Sequence, residues 1–196
     1  MAKIKNNINN TKKDIVLKNA AILFRKKGFK ATSLRELADT MGIEAPSLYN
    51  HINSKAELLH NICFGVANDF MTNLQAVIAT KESAVEKIAM LIRFHILKIY
   101  SDFDNVFVAN HEWKQLSKKD LSAFITQRKD YENCVIEIIH TGQKNKQMKL
   151  LNAKIMVLTI LSAVRGLEIL QSHKNNFSLE ELQDNMVEQL LNGIVK

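Results

Sequence analysis

Apolar residues recur every three to four positions along most of the chain, which is the spacing of one face of an α-helix. In the first segment Val16, Ala20 and Phe24 fall on one stripe, and Gly28 follows a basic last turn. No stretch alternates apolar and polar residues in the way that a half-buried strand does. The pattern therefore predicts an all-α fold of about nine helices.

Helix starts are marked by Ser-x-x-Asp/Glu sequences, in which the serine side chain binds one of the first unpaired N–H groups of the helix. The five serines are Ser33, Ser54, Ser83, Ser117 and Ser178, and Asn152 offers a sixth cap. The predicted helices cover about 12–27, 34–41, 45–52, 55–80, 84–100, 103–116, 118–141, 153–173 and 179–191. Gly142 is expected to follow the end of the seventh helix.

The second and third helices are short and meet at Gly42, so they predict a helix-turn-helix. Ala38 is small enough to let the two helices cross closely, and Leu48 points inward from the third. The outer face of the third helix then suits the major groove of DNA, where asparagine can pair with an adenine edge. That face carries Ala45, Ser47, Asn50 and His51. The alternative interpretation is a helical hairpin that binds nothing.

The positive charge lies almost entirely in this region. Residues 1–55 hold eleven lysines and arginines against four acids, which accounts for the whole net charge of +7. A basic head on a neutral body favours a polyanion as partner, although a solvated lysine-rich terminus is the alternative. Two cysteines, a polar N-terminus and the lack of a membrane-length apolar run favour a cytoplasmic protein without membrane contact.

Residues 12–60 resemble the N-terminal domain of the tetracycline repressor (TetR) family. The shared positions include Gly28-Phe29, Thr32-Ser33-Leu34, Gly42-Ile43, Leu48-Tyr49 and Ser54-Lys55, at fixed spacing and without gaps. Ile52 and Ala56 depart from the residues that are commonest in the family. The resemblance implies a domain at 1–55 that binds duplex DNA, with a basic arm, and a domain at 56–196 that binds an effector and dimerises.

The resemblance also implies roles in DNA binding. Thr32, Ser33, Tyr49, His51 and Lys55 would contact phosphates, Ser47 and Asn50 would face bases, and Arg35 would touch backbone or base. Ala45 and Pro46 lie at the start of the same recognition helix. A homodimer would place two such helices on a palindromic operator. The expected dimer face lies on the last two helices, at Ile155, Leu158, Leu161, Ser162, Ile169, Leu182, Met186 and Leu190.

Polar and aromatic residues within the apolar middle helices are the candidates for an effector site. They are Phe94, His95, Phe103, Phe107, His111, Trp113, Arg128, Tyr131 and Arg165. Each has a structural alternative, since a histidine on an apolar face is usually part of the core, and Arg128 and Arg165 can pair with Glu132 and Glu168. Glu112-Trp113 and residues 128–132 resemble TetR regulators that respond to fatty acids or acyl-coenzyme A.

The expected function is therefore a repressor that a small-molecule effector releases from its operator. The sequence contains no Walker loop, dinucleotide fingerprint, zinc-protease motif, Cys-x-x-Cys pair or nucleophile elbow. We expect no enzyme activity, no cofactor and no metal, and a metal site formed by His95, His111, Glu112 and His140 is the weaker alternative. An architectural DNA-binding protein without effector and a helical dimeric interaction module stay open.

Overall fold

The computed structural model describes residues 12–169 and 177–192, and every regular element in them is helical. The predicted all-α fold is confirmed. The described residues form nine α-helices and two 3₁₀ turns, at Trp113–Gln115 and at residues 167–169. The α-helices are α1 (Lys12–Lys27), α2 (Leu34–Thr40), α3 (Ala45–Tyr49), α4 (Lys55–Ala79), α5 (Ala84–Ser101), α6 (Phe103–His111), α7 (Lys118–Lys144), α8 (Ala153–Gly166) and α9 (Leu179–Asn192).

All six predicted caps are confirmed. In each case the capping oxygen accepts a hydrogen bond from the backbone N–H three residues later, which satisfies one N–H that has no partner within the helix. The capping residues are Ser33, Ser54, Ser83, Ser117, Asn152 and Ser178, with donor–acceptor distances between 3.0 and 3.2 Å.

Four predicted helix ends were wrong. Helix α3 ends at Tyr49, not near residue 52, so Asn50 and His51 follow the helix. The α-helix α6 ends at His111, not near residue 116, and a 3₁₀ turn follows it. Helix α7 continues through Gly142, and the chain reverses at Lys146, whose φ is 59°. A Cβ atom at Gly142 would lie 2.8 Å from the sulfur of Met148, so this glycine permits close packing rather than ending the helix. Helix α8 ends at Gly166, and residues 170–176 lie outside the described residues.

The first three helices pack around Phe24, Leu37 and Leu48, which are almost completely buried. Gly42, with φ of 66°, makes the predicted left-handed turn between α2 and α3. This apolar cluster continues past residue 55 into α4, α6 and the start of α7, and Val106 is its contribution from the middle of α6. The packing therefore joins the N-terminal helices firmly to the middle of the chain.

The second apolar cluster is formed by α5, α7, α8, α9 and the C-terminal half of α4, and Ile92 and Ile139 lie at its centre. Helix α9 packs mainly on α5. The side chain of Gln183 donates to the backbone carbonyl of Arg93 at 2.8 Å, and the Arg93 guanidinium pairs with Asp184 at 2.7 Å. The apolar stripe of α9 is thus partly covered within the chain.

No helix among residues 12–169 and 177–192 is long and apolar enough to cross a membrane. The thiols of Cys63 and Cys134 are both unbonded, and Cys63 is buried.

Candidate nucleic-acid interface and internal cavity

The outer face of α3 is polar and accessible. Ser47, Tyr49 and Asn50 are exposed, Tyr49 to 55%, while Leu48 between them is fully buried. Pro46 is also exposed at the start of the helix, and Ala45 and His51 are half-buried at its two ends. The helix is therefore held mainly by Leu48, with Ala45 packed against the same cluster, and its polar surface points outward, as in a helix that enters a groove.

The predicted phosphate contact of the Thr32 side chain, just before α2, does not agree with the structure. Thr32 is only 2% exposed, and its hydroxyl donates to the carbonyl of Gly28 at 3.0 Å. The Ser33 hydroxyl is exposed but accepts the N–H of Glu36 as the helix cap. Arg35 is exposed. Thr32 thus stabilises the loop before α2, because its side chain cannot reach a phosphate without breaking this bond.

The Lys55 ammonium group is not directed at solvent as the sequence led us to expect. It donates to the carbonyl oxygens of Phe29, Lys30 and Thr32 at 2.8, 3.2 and 2.7 Å, and it lies 4.6 Å from the centroid of the Phe29 ring. An ammonium group has three N–H donors, and all three are used here. The structure therefore revises the role of this side chain from a phosphate contact to a tether.

Part of the positive charge of the N-terminal helices is paired locally. A hydrogen bond from Lys27 lowers the pKa of Glu36; burial opposes this shift, and the charge of Lys27 and a hydrogen bond from the Ser33 cap support it. The pKa of Glu57 is lowered first by hydrogen bonds from the backbone and side chain of Asn53 and then by Lys13. Lys3 and Lys5 of the predicted arm lie outside the described residues.

A cavity lies in the middle of the molecule, between α4, α5, α6, α7 and α8. The space between its walls measures about 660 Å³, part of it open to solvent. Most of the wall is apolar, with small residues such as Ala67 and Ala109 leaving room on α4 and α6. A largely apolar cavity with a few convergent polar groups is typical of a small-molecule site.

Four of the nine predicted effector residues line this cavity: His95, Arg128, Tyr131 and Arg165. Burial and the nearby charge of Arg165 lower the pKa of the Arg128 guanidinium. Within residues 12–169 and 177–192 neither arginine forms an ion pair, and Arg128 instead lies over the rings of Trp113 and Phe124 at 5.5 and 5.8 Å. The predicted ion pairs with Glu132 and Glu168 do not form. Glu132 also lines the cavity, and its charge acts on Arg128 in the direction opposite to that of Arg165, but it is not within ion-pair distance of either arginine.

His95 and Tyr131 form a neutral hydrogen-bonded pair deep in the cavity. The His95 Nε2 and the Tyr131 hydroxyl are 2.8 Å apart, and the imidazole stacks on the Phe70 ring at 4.3 Å between centroids. Burial lowers the pKa of His95 to about 3, helped by the charge of Arg165, and burial raises the pKa of Tyr131. Both side chains are therefore uncharged at neutral pH.

The other five predicted effector residues do not line the cavity. On α5 the cavity face is formed by His95 and Ile99, and Phe94 lies one residue back, about 100° around the helix. The Phe94 ring instead contacts the Phe70 ring, with 5.5 Å between centroids. The Phe107 ring stacks on the His111 ring, with 4.2 Å between centroids. The remaining three residues have other partners. The Phe103 ring contacts the guanidinium of Arg25, His111 bonds to Glu168 at 2.7 Å, and the Trp113 ring contacts the guanidinium of Arg128.

The structure adds lining residues that sequence reasoning missed. They include Phe70, Val106, Asn110 and Leu161. Asn110 also donates to Glu168 at 2.8 Å, which links α6 to the end of α8. Their spacing of three or four residues on each helix was visible in the sequence, but it does not distinguish the wall of a cavity from an ordinary core.

The predicted dimer residues divide into two groups. On α8, Ile155 and Leu158 are exposed to 62% and 47%, Ser162 is exposed, and Ile169 just beyond the helix is exposed to 77%. Leu161 instead points inward and is only 5% exposed. Leu182, Met186 and Leu190 are partly buried against the chain's own core. The most exposed apolar residues are thus on α8, because the apolar residues of α9 are partly covered by the chain's own core.

No group of three or more potential metal ligands gathers within the part of the chain that the structure describes. The histidines proposed for the alternative metal site lie apart, with separate partners: Tyr131 for His95, Glu168 for His111 and Gln143 for His140.

Known proteins resemble the chain over nearly all of its length. The HTH-type transcriptional repressor KstR2 of Mycolicibacterium smegmatis is 28% identical over 133 residues, which are 67% of this chain and 65% of that protein. The match thus spans slightly less than two thirds of the relative. The structure of the ketosteroid transcriptional regulator KstR2 of Mycobacterium tuberculosis has a TM-score of 0.90 at 20% identity, covering 95% of this chain and 96% of that one.

A second solved structure has the same fold. The crystal structure of AibR in complex with isovaleryl coenzyme A and operator DNA has a TM-score of 0.79 at 21% identity, covering 90% of this chain and 96% of that one. Residues 16–62 match the family model of bacterial regulatory proteins of the tetR family, and residues 81–194 match that of the tetracyclin repressor-like C-terminal domain. The chain belongs to the TetR family of transcriptional regulators.

Proposed function

We propose that the protein is a cytoplasmic repressor, not an enzyme, which binds a palindromic operator as a homodimer and is released by a small-molecule effector. The observation that carries this proposal is the exposed polar face of α3 above the fully buried Leu48, within a segment that holds all of the excess positive charge. Residues 1–55 would bind DNA, and residues 56–196 would bind the effector and form the dimer.

Ser47 and Asn50 would face base edges, because both are exposed on the outer side of α3. Tyr49, His51, Ser33 and Arg35 would contact the flanking phosphates, which fix the register of the helix on the duplex. Ala45 and Pro46 would set how closely α3 enters the groove. Lys55 would act through the loop that it tethers, and the buried Thr32 would stabilise the same loop.

The exposed apolar strip of α8 supports a twofold dimer. Isolated exposed apolar residues are normal, but Ile155, Leu158 and Ser162 lie on one side of the helix, with Ile169 beyond it. Pairing this face with its copy would bury it in an interface where the same patch meets itself. Two recognition helices about 34–36 Å apart would then read successive turns of the major groove.

The effector would be a small molecule with an anionic group and an apolar part, and a fatty acid or its coenzyme A thioester fits this chemistry. Arg128 and Arg165 supply positive charge without contacting carboxylates, and the rest of the cavity wall is mostly apolar. The likeness to AibR, solved with isovaleryl coenzyme A and operator DNA, supports this class.

Helices α4 and α6 would carry the response. Both line the cavity, and α6 also holds α1 through the ion pair between Asp104 and Arg25, whose guanidinium lies 5.4 Å from the Phe103 ring centroid. An effector that fits the cavity better when the two DNA-binding units are splayed would shift the population toward that form. The size of the shift is limited by its differential affinity for the two forms.

The test is a selection of genomic DNA fragments with the purified protein, followed by gel shifts over a range of salt concentrations. A regulator should retain one preferred palindrome as salt rises, whereas an architectural protein should lose affinity uniformly. Adding straight-chain carboxylates or their coenzyme A thioesters should then release the fragment. Absence of any preferred sequence would contradict the proposal.

A further inference from the structure

A second cavity lies behind the first, deeper in the bundle of α5, α7 and α8. It is smaller, and it is lined by apolar side chains such as Ile88, Ile92 and Ile160. Three residues line both cavities: His95, Tyr131 and Leu161. These three side chains therefore form the wall that separates the front cavity from the rear one.

The wall is closed by one hydrogen bond and by apolar contact. The bond between His95 and Tyr131 holds the two rings across the bundle, and the Phe70 ring supports both at centroid distances of 4.3 and 6.2 Å. Leu161 fills the side contributed by α8 and is 5% exposed. The wall thus consists of neutral side chains and resembles the core more than a polar binding surface.

The two arginines lie in the front cavity and do not line the rear one. A ligand whose anionic group binds Arg128 and Arg165 must therefore direct its apolar part along the front cavity, where the wall limits how far it extends. The rear cavity has no charged residue in its lining, so shortening a side chain of the wall would free apolar space for additional methylene groups.

We propose that His95, Tyr131 and Leu161 set the length of the apolar chain in the effectors that the protein accepts. This proposal rests on the effector site proposed above. The effector is an anionic amphiphile with its charged end at the two arginines and its apolar end against these three side chains. Leu161 is the position at which length is most directly controlled, because shortening its side chain joins the two cavities without removing the His95–Tyr131 bond.

The experiment measures binding of a homologous series of straight-chain saturated carboxylates, and of their coenzyme A thioesters, to the full-length protein. Trp113 is the only tryptophan in the chain, and its ring lies 5.5 Å from the Arg128 guanidinium, so its fluorescence should report binding directly. Replacing Leu161 with alanine should move the best-bound chain length upward by about two to three carbons, as expected from the carbons removed.

Ile160→Ala is the matched control, because Ile160 lines only the rear cavity and is buried to a similar degree. Its chain-length optimum should equal that of the wild type. Leu161→Val, which removes a single methylene group, should shift the optimum by about one carbon and covers the case in which Leu161→Ala does not fold. If the optimal chain length shifts for only one of the two ligand series, that series, carboxylates or coenzyme A thioesters, contains the ligand.

An unchanged optimum in folded Leu161→Val and Leu161→Ala would overturn the inference, as would the failure of both series to bind. Failure of the proposed regulatory function has a different signature. If the ligands bind and the optimum shifts, but the operator is not released, then the length control stands and the proposed repressor mechanism is wrong.

Discussion

The Lys55 ammonium group lies 2.7 Å from the carbonyl oxygen of Thr32, so the first turn of α4 is tied to the loop that leads into α2. Two further bonds reach the carbonyls of Phe29 and Lys30 in the same loop. A residue that the family resemblance predicts to contact DNA thus instead positions the helix-turn-helix relative to α4, one of the helices that line the central cavity.

Lys55→Ala should lower the free energy of unfolding by about 1–3 kcal/mol, because two partly buried carbonyls and one exposed carbonyl lose a charged donor. It should also weaken operator binding. Lys30→Ala removes the same charge from an exposed side chain of the loop and should leave stability unchanged. Urea denaturation and gel shifts measure the two effects, and equal losses of stability in both variants would contradict a tethering role.

Tyr49→Ala should weaken operator binding about tenfold, since its exposed ring and hydroxyl would be lost from the DNA-facing surface. Folding should be unaffected, because the side chain is 55% exposed. Tyr100→Ala is the control, as Tyr100 is an exposed tyrosine at the end of α5. Fluorescence anisotropy with a labelled operator compares them, and wild-type affinity in Tyr49→Ala would argue against the proposed orientation of α3.

Arg128→Gln and Arg165→Gln should each reduce effector affinity about ten- to a hundredfold while leaving operator binding without effector intact. The free energy of unfolding of Arg128→Gln should be unchanged or higher, because a partly buried cation without an ion-pair partner among the described residues is removed. Arg93→Gln, which breaks the surface pair with Asp184, is the control. Titration followed by Trp113 fluorescence provides the measurement.

Ile155→Glu should prevent the proposed dimer from forming, since the charge would be buried where the exposed α8 strips of two copies meet. Ile15→Glu places the same charge at a comparably exposed position on α1 and should leave the oligomeric state unchanged. Sedimentation velocity distinguishes the two forms. A dimeric Ile155→Glu would place the interface elsewhere on the molecule.

The buried His95 should make stability depend on pH. Its pKa in the folded protein is about 3, below the ordinary value of 6.5, so below pH 6.5 the unfolded chain binds a proton that the folded chain does not. The free energy of unfolding should therefore fall as pH falls, by at most about 1.4 kcal/mol per pH unit. Urea denaturation between about pH 5 and 6.5, above the carboxylate range, should show a smaller slope in His95→Gln than in the wild type.

The sequence by itself determined the helices and the turn between α2 and α3. Capping residues such as Ser33 and Ser54 act on N–H groups three residues away, and Gly42 acts on its own backbone, so their effects are local and can be predicted without knowing the fold. The same holds for the exposed face of α3, because burial of Leu48 fixes the rotation of so short a helix.

The tertiary structure alone decided which helix faces enclose the cavity, and where Lys55, Thr32 and Leu161 point. Rotating a helix by one residue turns a side chain by about 100°, which separates His95 in the cavity from Phe94 outside it. Both lie in the same largely apolar stretch of the sequence. The difference arises from contacts between helices far apart in the chain, and the periodicity of a single helix does not specify these contacts.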